Sequence, residues 1–323
     1  MRRILVSGLS GLILLSGCVS RCGCDKPTPL AKVYTHKYGQ VLTEQEWRDK
    51  GGYGSITTRL NDGVSRTENY EQGVLHGDTT ETFPFNQAIA LRQSYERGQK
   101  VKEVSFSPGG SPLQQTEWLG DQRIATTWYP DGSPMSVETF EQDRLISGEY
   151  FNREHELEAQ VLEGKGYRIC RDLQGKVTAQ EEIHGGEVCL RTEFYESGSP
   201  SKVTPLFRGA IHGLVASYLP DGQPLSTEQY QFGKKHGLTT LFLNGERAQE
   251  VPFLLGKKEG LEKHYEDGHH VVRTVSWREN LRHGPSETLL PEAHTIEYWY
   301  RDELVPKLTY ERQVSKERPR RPH

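Results

Sequence analysis

The sequence predicts an all-β fold, an elongated single-layer antiparallel meander of β-hairpin repeats about 23 residues long. Three observations support this prediction. Glycines in turn-like contexts, several of them in Asn-Gly or Asp-Gly pairs, recur every 23 or 24 residues from Gly175 onward, and a large side chain recurs every 11 or 12 residues. Only 34% of the 323 residues are hydrophobic, whereas a compact domain has about 45–50%. A thin sheet needs few buried residues, while 5 Trp, 15 Tyr and 10 Phe argue against disorder.

Residues 1–17 are predicted to be a lipoprotein signal peptide. Arg2 and Arg3 precede an apolar stretch that ends at Leu15 and is too short to span a bilayer. The following Ser16-Gly17-Cys18 completes a segment that resembles the bacterial lipobox, and this resemblance implies that Cys18 carries the lipid. The alternative is an ordinary signal peptide with an incidental cysteine.

The signal peptide implies an address in the bacterial cell envelope. No later stretch is long and apolar enough to span a membrane, so the membrane contact is expected through the lipid on Cys18. Val19 stands where an Asp would favour retention at the inner membrane, which indicates the outer membrane. Residues 18–33 are predicted to be a flexible tether, because the stretch 21–29 contains Gly23, Pro27 and Pro29.

Four cysteines besides Cys18 leave the disulfide pattern open. A bridge between Cys170 and Cys189, or between Cys22 and Cys24, is compatible with an oxidising envelope. Spacing along the chain cannot establish that either pair is close enough to bond.

Residues 34–310 are predicted to form the repeat array. A second glycine series runs between the turn pairs, and most of its members follow a histidine. These structural glycines are expected to adopt conformations that a Cβ atom disfavours. They are Gly77, Gly213, Gly237, Gly260 and Gly284. The pattern is degenerate over 141–188, and we expect cooperativity to break at 152–190.

The recurring large side chains are predicted to form a cross-strand ladder that supplies most of the core. Alternatively, part of the ladder is an exposed platform for glycans or for a partner strand. The clearest members are Phe83, Tyr95, Phe106, Trp118, Tyr129, Phe140, Phe151, Tyr195, Phe207, Tyr218, Tyr230, Phe242, Phe253, Tyr265 and Trp277.

Segments 230–245, 253–260 and 70–77 share the spacing Tyr/Phe-x-x-Gly-x-x-x-Gly. This pattern resembles the variant MORN repeat of bacterial proteins. The resemblance implies hairpins joined edge to edge in one sheet and a scaffold or interaction role, with no catalytic residues to transfer. Some relatives are described as antitoxin-like, which an exported chain fits poorly.

The sequence predicts no cofactor, no bound metal and no small-molecule substrate. A metal ladder of His76, His212, His236 and His283 is disfavoured, because equivalent positions should lie about 9–10 Å apart. The net charge of −4 makes a nucleic-acid surface improbable. The motifs of common nucleophilic enzymes and zinc proteases are absent from the sequence.

The function predicted from sequence is that of an envelope lipoprotein, a non-catalytic β-repeat scaffold that binds one or more proteins. The alternative is a cell-wall or glycan-binding module that uses exposed aromatic side chains. An antitoxin-like protein or an enzyme ranks below both. Residues 311–323 are predicted to be a solvated basic tail, with contact to anionic lipid, peptidoglycan or a partner as the alternative.

Overall fold

Tight turns at regular intervals fold the chain into successive hairpins, because Gly, Asn and Asp adopt the positive φ angles that such turns require. The computed structural model describes residues 27–172, 174–290 and 292–317. These residues form one antiparallel sheet in which the strands pair in chain order. The first and last strands do not pair with each other, so the sheet is open. The predicted open meander of hairpins is therefore confirmed.

The described residues contain 29 strands and two helices. The helices are α1 Glu44–Asp49 and α2 Lys307–Glu317. The strands are β1 Pro29–His36, β2 Val41–Leu42, β3 Gly54–Leu60, β4 Ser65–Glu71, β5 Val74–Leu75, β6 Gly77–Thr82, β7 Ile89–Glu96, β8 Gln99–Phe106, β9 Pro112–Leu119, β10 Gln122–Trp128, β11 Pro134–Glu141, β12 Arg144–Phe151, β13 Leu157–Leu162, β14 Lys165–Arg171, β15 Val177–His184, β16 Glu187–Phe194, β17 Pro200–Phe207, β18 Ala210–Ile211, β19 Gly213–Tyr218, β20 Pro224–Gln231, β21 Lys234–Leu243, β22 Glu246–Leu254, β23 Lys257–Lys258, β24 Gly260–Glu266, β25 His270–Arg278, β26 Leu281–Arg282, β27 Gly284–Leu290, β28 Ala293–Tyr300 and β29 Glu303–Val305.

The second glycine series marks a wide bulge in the sheet. In the hairpin of β4 with β5 and β6, Tyr70 pairs with Leu75 and Thr67 pairs with Thr80. Between these two pairs the chain advances five residues on the β5–β6 side but only three on β4. The two extra residues form the bulge, and Gly77 lies in it. The hairpins that contain Gly213, Gly237, Gly260 and Gly284 repeat this arrangement. A bulge bends its strand and increases the local twist.

The buried position of each repeat lies two residues after the second-series glycine. Directly paired residues share a face of the sheet, and Thr239 pairs with both Glu228 and Val251. We call the face that carries these residues the buried face and the opposite one the outer face. The six residues that follow Gly77, Gly148, Gly213, Gly237, Gly260 and Gly284 at this distance are at most 5% exposed. They are Thr79, Tyr150, Val215, Thr239, Glu262 and Ser286.

The aromatic series supplies less of the core than the sequence predicts. Tyr129 is fully buried, but most other members are half-buried and Phe207 is exposed. Small β-branched residues such as Val215 and Val251 take the buried positions instead. Most ladder residues lie at or next to a strand end and are only partly covered by their neighbours.

The segment with the weakest repeat pattern contains a well-packed core. Leu145, Tyr150, Val161 and Ile183 form one buried cluster, and each is at most 3% exposed. Phe140, Ala159, Ile169 and Val188 pack against it. The hairpins of β11 with β12 and of β15 with β16 have a bulge of one extra residue in place of the wide bulge, and the β15–β16 hairpin has no second-series glycine. The expected break at 152–190 is therefore not visible as a packing defect.

Both ends of the array differ from the sequence prediction. Strand β1 begins at Pro29, so residues 29–33 of the predicted tether belong to the sheet. Helix α1 was not predicted; Thr43 and Glu46 form a capping box at its start. Its Trp47 is buried beside Tyr34, and these two with Leu42 form a second cluster.

The predicted basic tail is partly helical. Helix α2 spans residues 307–317, and its Glu317 accepts hydrogen bonds from Arg278, Arg301 and Tyr300. These contacts hold a segment that was predicted to be solvated against the end of the sheet. Within the described residues, neither helix has the length and apolar character needed to cross a membrane.

Candidate binding surfaces on the two faces of the sheet

Predicted site residues fall both inside and outside the described part of the chain. Cys18, Cys22 and Cys24 lie outside it, so the lipidation prediction and the pairing of Cys22 with Cys24 remain predictions. The five structural glycines lie inside it and all have positive φ, from +81° at Gly77 to +122° at Gly284. A Cβ atom on Gly237 would lie 3.0 Å from Gln229 Cγ, and one on Gly284 would lie 2.8 Å from Ser276 Cβ. Gly237 and Gly284 therefore allow a close approach between strands.

The repeated histidine position helps to link successive turns. His212 Nδ1 accepts a hydrogen bond from the backbone N–H of Phe232 in the next turn, at 3.4 Å. Glu259 occupies the same repeat position and accepts from the N–H of Glu279 at 2.7 Å. His283 is buried against Tyr300 and Tyr310, and burial lowers its pKa. His212 and Glu259 at this repeat position therefore each bind the backbone of the following turn.

Buried carboxylates on the buried face hold the middle of the sheet together. Glu138 accepts hydrogen bonds from Arg168 at 2.6 Å and from the Tyr150 hydroxyl at 2.8 Å. Arg168 also donates to Glu181 at 3.2 Å, and Glu181 accepts from Arg191. Burial of its hydroxyl, with Glu138 beside it, raises the pKa of Tyr150. The network spans β11 to β16 and joins strands that are distant in sequence.

A related arrangement covers aromatic rings elsewhere on this face. In three places a lysine ammonium lies over a ring of the aromatic series and also pairs with a glutamate. The distances to the ring centroids are 4.9 Å for Lys100 and Trp118, 5.3 Å for Lys235 and Phe253, and 4.3 Å for Lys258 and Trp277. The paired glutamates are Glu103, Glu228 and Glu262. These cations already occupy ring faces that a sugar would need for stacking.

The outer face differs between the two halves of the sheet. In the C-terminal half, the residue directly after three of the four second-series glycines is an exposed leucine, and Pro285 follows the fourth, Gly284. We call Leu214, Leu238 and Leu261 the leucine row; they are 51%, 43% and 45% exposed. In the N-terminal half the equivalent residue is Asp78, which accepts a hydrogen bond from Ser94 at 2.6 Å.

Lysines flank the leucine row on the outer face. Lys234 and Lys257 are each the first strand residue after a tight turn, where they lie opposite Gln231 and Leu254 in the ladder. Both lysines are exposed. Lys257 lies 3.5 Å from Glu279. The row is therefore an apolar surface bordered by Lys234 and by the ion pair of Lys257 with Glu279.

The two cysteines of the array are both free thiols. Strand β15 separates Cys170 on β14 from Cys189 on β16, so the proposed bridge between them does not form. Burial raises the pKa of Cys170 to about 11. Cys189 lies beside Glu182 and His184, and the potential ligand atoms of all three residues are within 4.8 Å of one another. The sequence signal for this group is the spacing Glu-x-His-Gly-Gly of residues 182–186, in which the two glycines form the turn.

Comparisons with known proteins do not identify a family. No protein-family model matches the chain, and no curated protein matches it. The chain resembles a crystal structure of TarM at 14% identity and a TM-score of 0.17, over 42% of this chain and 21% of that one. A variant of S. aureus TarM in complex with fondaparinux, α-GlcNAc-glycerol and UDP matches at 10% identity and a TM-score of 0.13, over 56% and 23%. The chain thus spans less than a quarter of either structure, and likenesses at this level carry no argument about fold or activity.

Proposed function

We propose that this protein is a lipid-anchored, non-catalytic scaffold of the bacterial envelope that binds a protein partner on the outer face of its C-terminal half. The leucine row is the observation that supports this proposal. Three exposed leucines at one repeat position form a regular apolar line on a sheet face, and exposed apolar patches of this kind favour protein contact. The anchor at Cys18 follows from the lipobox resemblance.

The spacing of the row favours a helical partner. Equivalent residues two strands apart are separated by about 9.6 Å. An α-helix rises about 1.5 Å per residue, so seven residues span about 10.5 Å. A helix with an apolar residue at each heptad position could therefore contact Leu214, Leu238 and Leu261 in turn. The exposed Lys234 on the border favours an acidic side chain beside that apolar stripe.

A protein partner is favoured over a glycan because of the aromatic rings. Most rings of the series are half-buried, and lysines cover three of them on the buried face. A sugar that stacked on those faces would have to displace an ion-paired lysine. The leucines of the row have no such cover and offer apolar contact without hydrogen-bonding groups.

Site-specific photo-cross-linking in the native bacterium tests the binding surface. A photoreactive residue at Leu238 should give one discrete adduct, whereas the same residue at Leu119, which is 58% exposed on another part of the sheet, should not. Leu214→Asp with Leu261→Asp should abolish the adduct. Equal adducts at both positions, or retention of the full-length protein by purified peptidoglycan, would contradict a partner at the leucine row.

The anchor is tested separately. A fatty-acid label should enter the wild-type protein and not Cys18→Ala. Label in the Cys18→Ala variant would refute the lipid assignment and leave the cross-linking result unaffected.

A further inference from the structure

We propose that Glu182, His184 and Cys189 form a binding site for a zinc-like divalent cation on the outer face of the β15–β16 hairpin. This site is independent of the leucine row and of the scaffold role. Its basis is the mutual approach of a carboxylate oxygen, an imidazole nitrogen and a thiol sulfur to within 4.8 Å.

The backbone places these three side chains together. Glu182 and His184 lie two residues apart on β15 and therefore project from the same face. The tight turn at Gly185 and Gly186, both with positive φ, brings β16 back beside them. The register shifts by one residue at this point: Ile183 pairs with Val188, but the neighbouring Glu182 pairs with Leu190. Cys189 is the extra residue of that bulge, and bulges re-aim side chains.

The donor set selects the class of ion. Thiolate, imidazole and carboxylate together are ligands that zinc accepts, with distances of about 2.0–2.3 Å. Calcium and magnesium prefer oxygen ligands alone. Donors in a tetrahedral zinc site are about 3.5 Å apart, so the atoms here must approach by about 1 Å. His184 is exposed and can make that movement by side-chain rotation.

The charges of the site favour a bound cation. Burial raises the pKa of the Cys189 thiol, and the neighbouring Glu182 carboxylate raises it further. A divalent ion would relieve the repulsion between thiolate and carboxylate, and ligation would release the thiol proton to solvent. The three protein ligands leave a fourth position for water. The Cys189 thiol now donates a weak hydrogen bond to the Glu182 backbone carbonyl at 3.3 Å.

Bound metal would stabilise the region that the repeats mark least clearly. The hairpin adjoins the buried cluster, because Ile183 and Val188 pair with each other between the ligands. An ion held by both strands would therefore fix their register next to the core.

Cobalt titration of the full-length protein in detergent tests the site. Cys22→Ser and Cys24→Ser are introduced first, so that thiols outside the described residues do not contribute. We expect one Co²⁺ per chain, with the thiolate-to-cobalt charge-transfer absorption, and displacement by Zn²⁺. Cys189→Ser should abolish that absorption, and His184→Ala and Glu182→Gln should each weaken binding at least tenfold.

Cys170→Ser is the matched control, because Cys170 is the other free thiol of the array and lies two strands away. It should keep both stoichiometry and affinity. Retention of the absorption in Cys189→Ser, or equal loss in Cys170→Ser, would overturn the proposal, as would a chain that binds no Co²⁺. Circular dichroism checks folding, and the exposed His184→Ala variant decides the matter if Cys189→Ser misfolds.

Discussion

The middle of the sheet and its C-terminal half are built in opposite ways. Residues 200–290 repeat the glycine pattern faithfully, yet their buried positions hold small or polar side chains such as Val215 and Thr239. Residues 138–191 lose part of the pattern, yet they contain Tyr150 and Ile183, which are among the most completely buried large residues. A clear repeat thus reports turn and bulge geometry, and it does not report how much apolar area is buried.

The physical reason lies in the glycine positions. The second-series glycines of positive φ lie in wide bulges, and the buried position after each holds a small or polar side chain. Gly148 keeps its place in the middle segment but is followed two residues later by Tyr150, whose hydroxyl would lie 2.5 Å from a Cβ at Gly148. Because Gly148 has no side chain, the Tyr150 ring can lie against it and join the buried cluster in the segment where the glycine pattern is weakest.

The largest expected effect comes from the ion network of the middle segment. Arg168→Met removes the cation shared by Glu138 and Glu181, whose side chains are 9% and 5% exposed. We expect a loss of about 3–5 kcal/mol in the free energy of unfolding, because the buried Glu138 loses its cation and Glu181 keeps only Arg191. Urea denaturation measures it.

The matched control is Arg66→Met, which breaks the more exposed pair with Glu81 and should cost less than about 1 kcal/mol. Equal effects at the two sites would show that the middle network contributes no more than a surface ion pair.

The next effect compares one apolar side chain from each region. Ile183→Ala empties part of the middle cluster and should cost about 3 kcal/mol. Phe242→Ala removes a larger but half-buried ring and should cost about half as much. Thermal unfolding of both variants gives the order. A larger loss for Phe242→Ala would restore the aromatic series as the main core.

A smaller effect concerns the bulge glycines. Gly237→Ala forces a Cβ onto a backbone at φ +104° and against Gln229, and should cost about 2 kcal/mol. Gly73→Ala, at φ +73° with no atom within 4 Å of the new Cβ, should cost about 1 kcal/mol. If denaturation gives the two variants the same stability, the close approach at the bulge has no energetic role.

The smallest effect is a pH dependence of the C-terminal half. Burial disfavours the charge of Glu262, but hydrogen bonds from Lys258 and Gln249 outweigh it and hold its pKa below the usual 4.5. A lowered folded-state pKa stabilises the fold above about pH 4.5, and this stability is lost as pH falls through the folded value. Lys258→Met should move the acid limb of a stability profile to higher pH. An unchanged limb would remove Glu262 from the acid response.

The regular features of this fold were predictable from the sequence, because turns depend on local residues. Asp221-Gly222 and Asn244-Gly245 give the turns, and Gly237 and Gly260 give the bulges. The open sheet followed from their spacing. Helix α1 was missed although Thr43 and Glu46 carry its capping signal, because the repeat pattern took precedence.

Burial and side-chain proximity could not be predicted in the same way. Arg168 meets Glu138 across 30 residues of chain, and Cys189 meets Glu182 through a one-residue register shift. Both contacts depend on which face of the sheet a side chain occupies. Alternation along the strand determines that face, and each bulge shifts the alternation by its extra residues. The leucine row was overlooked because the aromatic residues of the same repeats gave the stronger pattern.

Hydrogen exchange of the backbone amides tests most directly whether the degenerate middle is the better-packed region. The strands over 165–194 should exchange more slowly than those over 224–266, since protection follows local packing. Faster exchange over 165–194, with opening that begins there, would contradict this and support the break in cooperativity that the repeat pattern alone predicts.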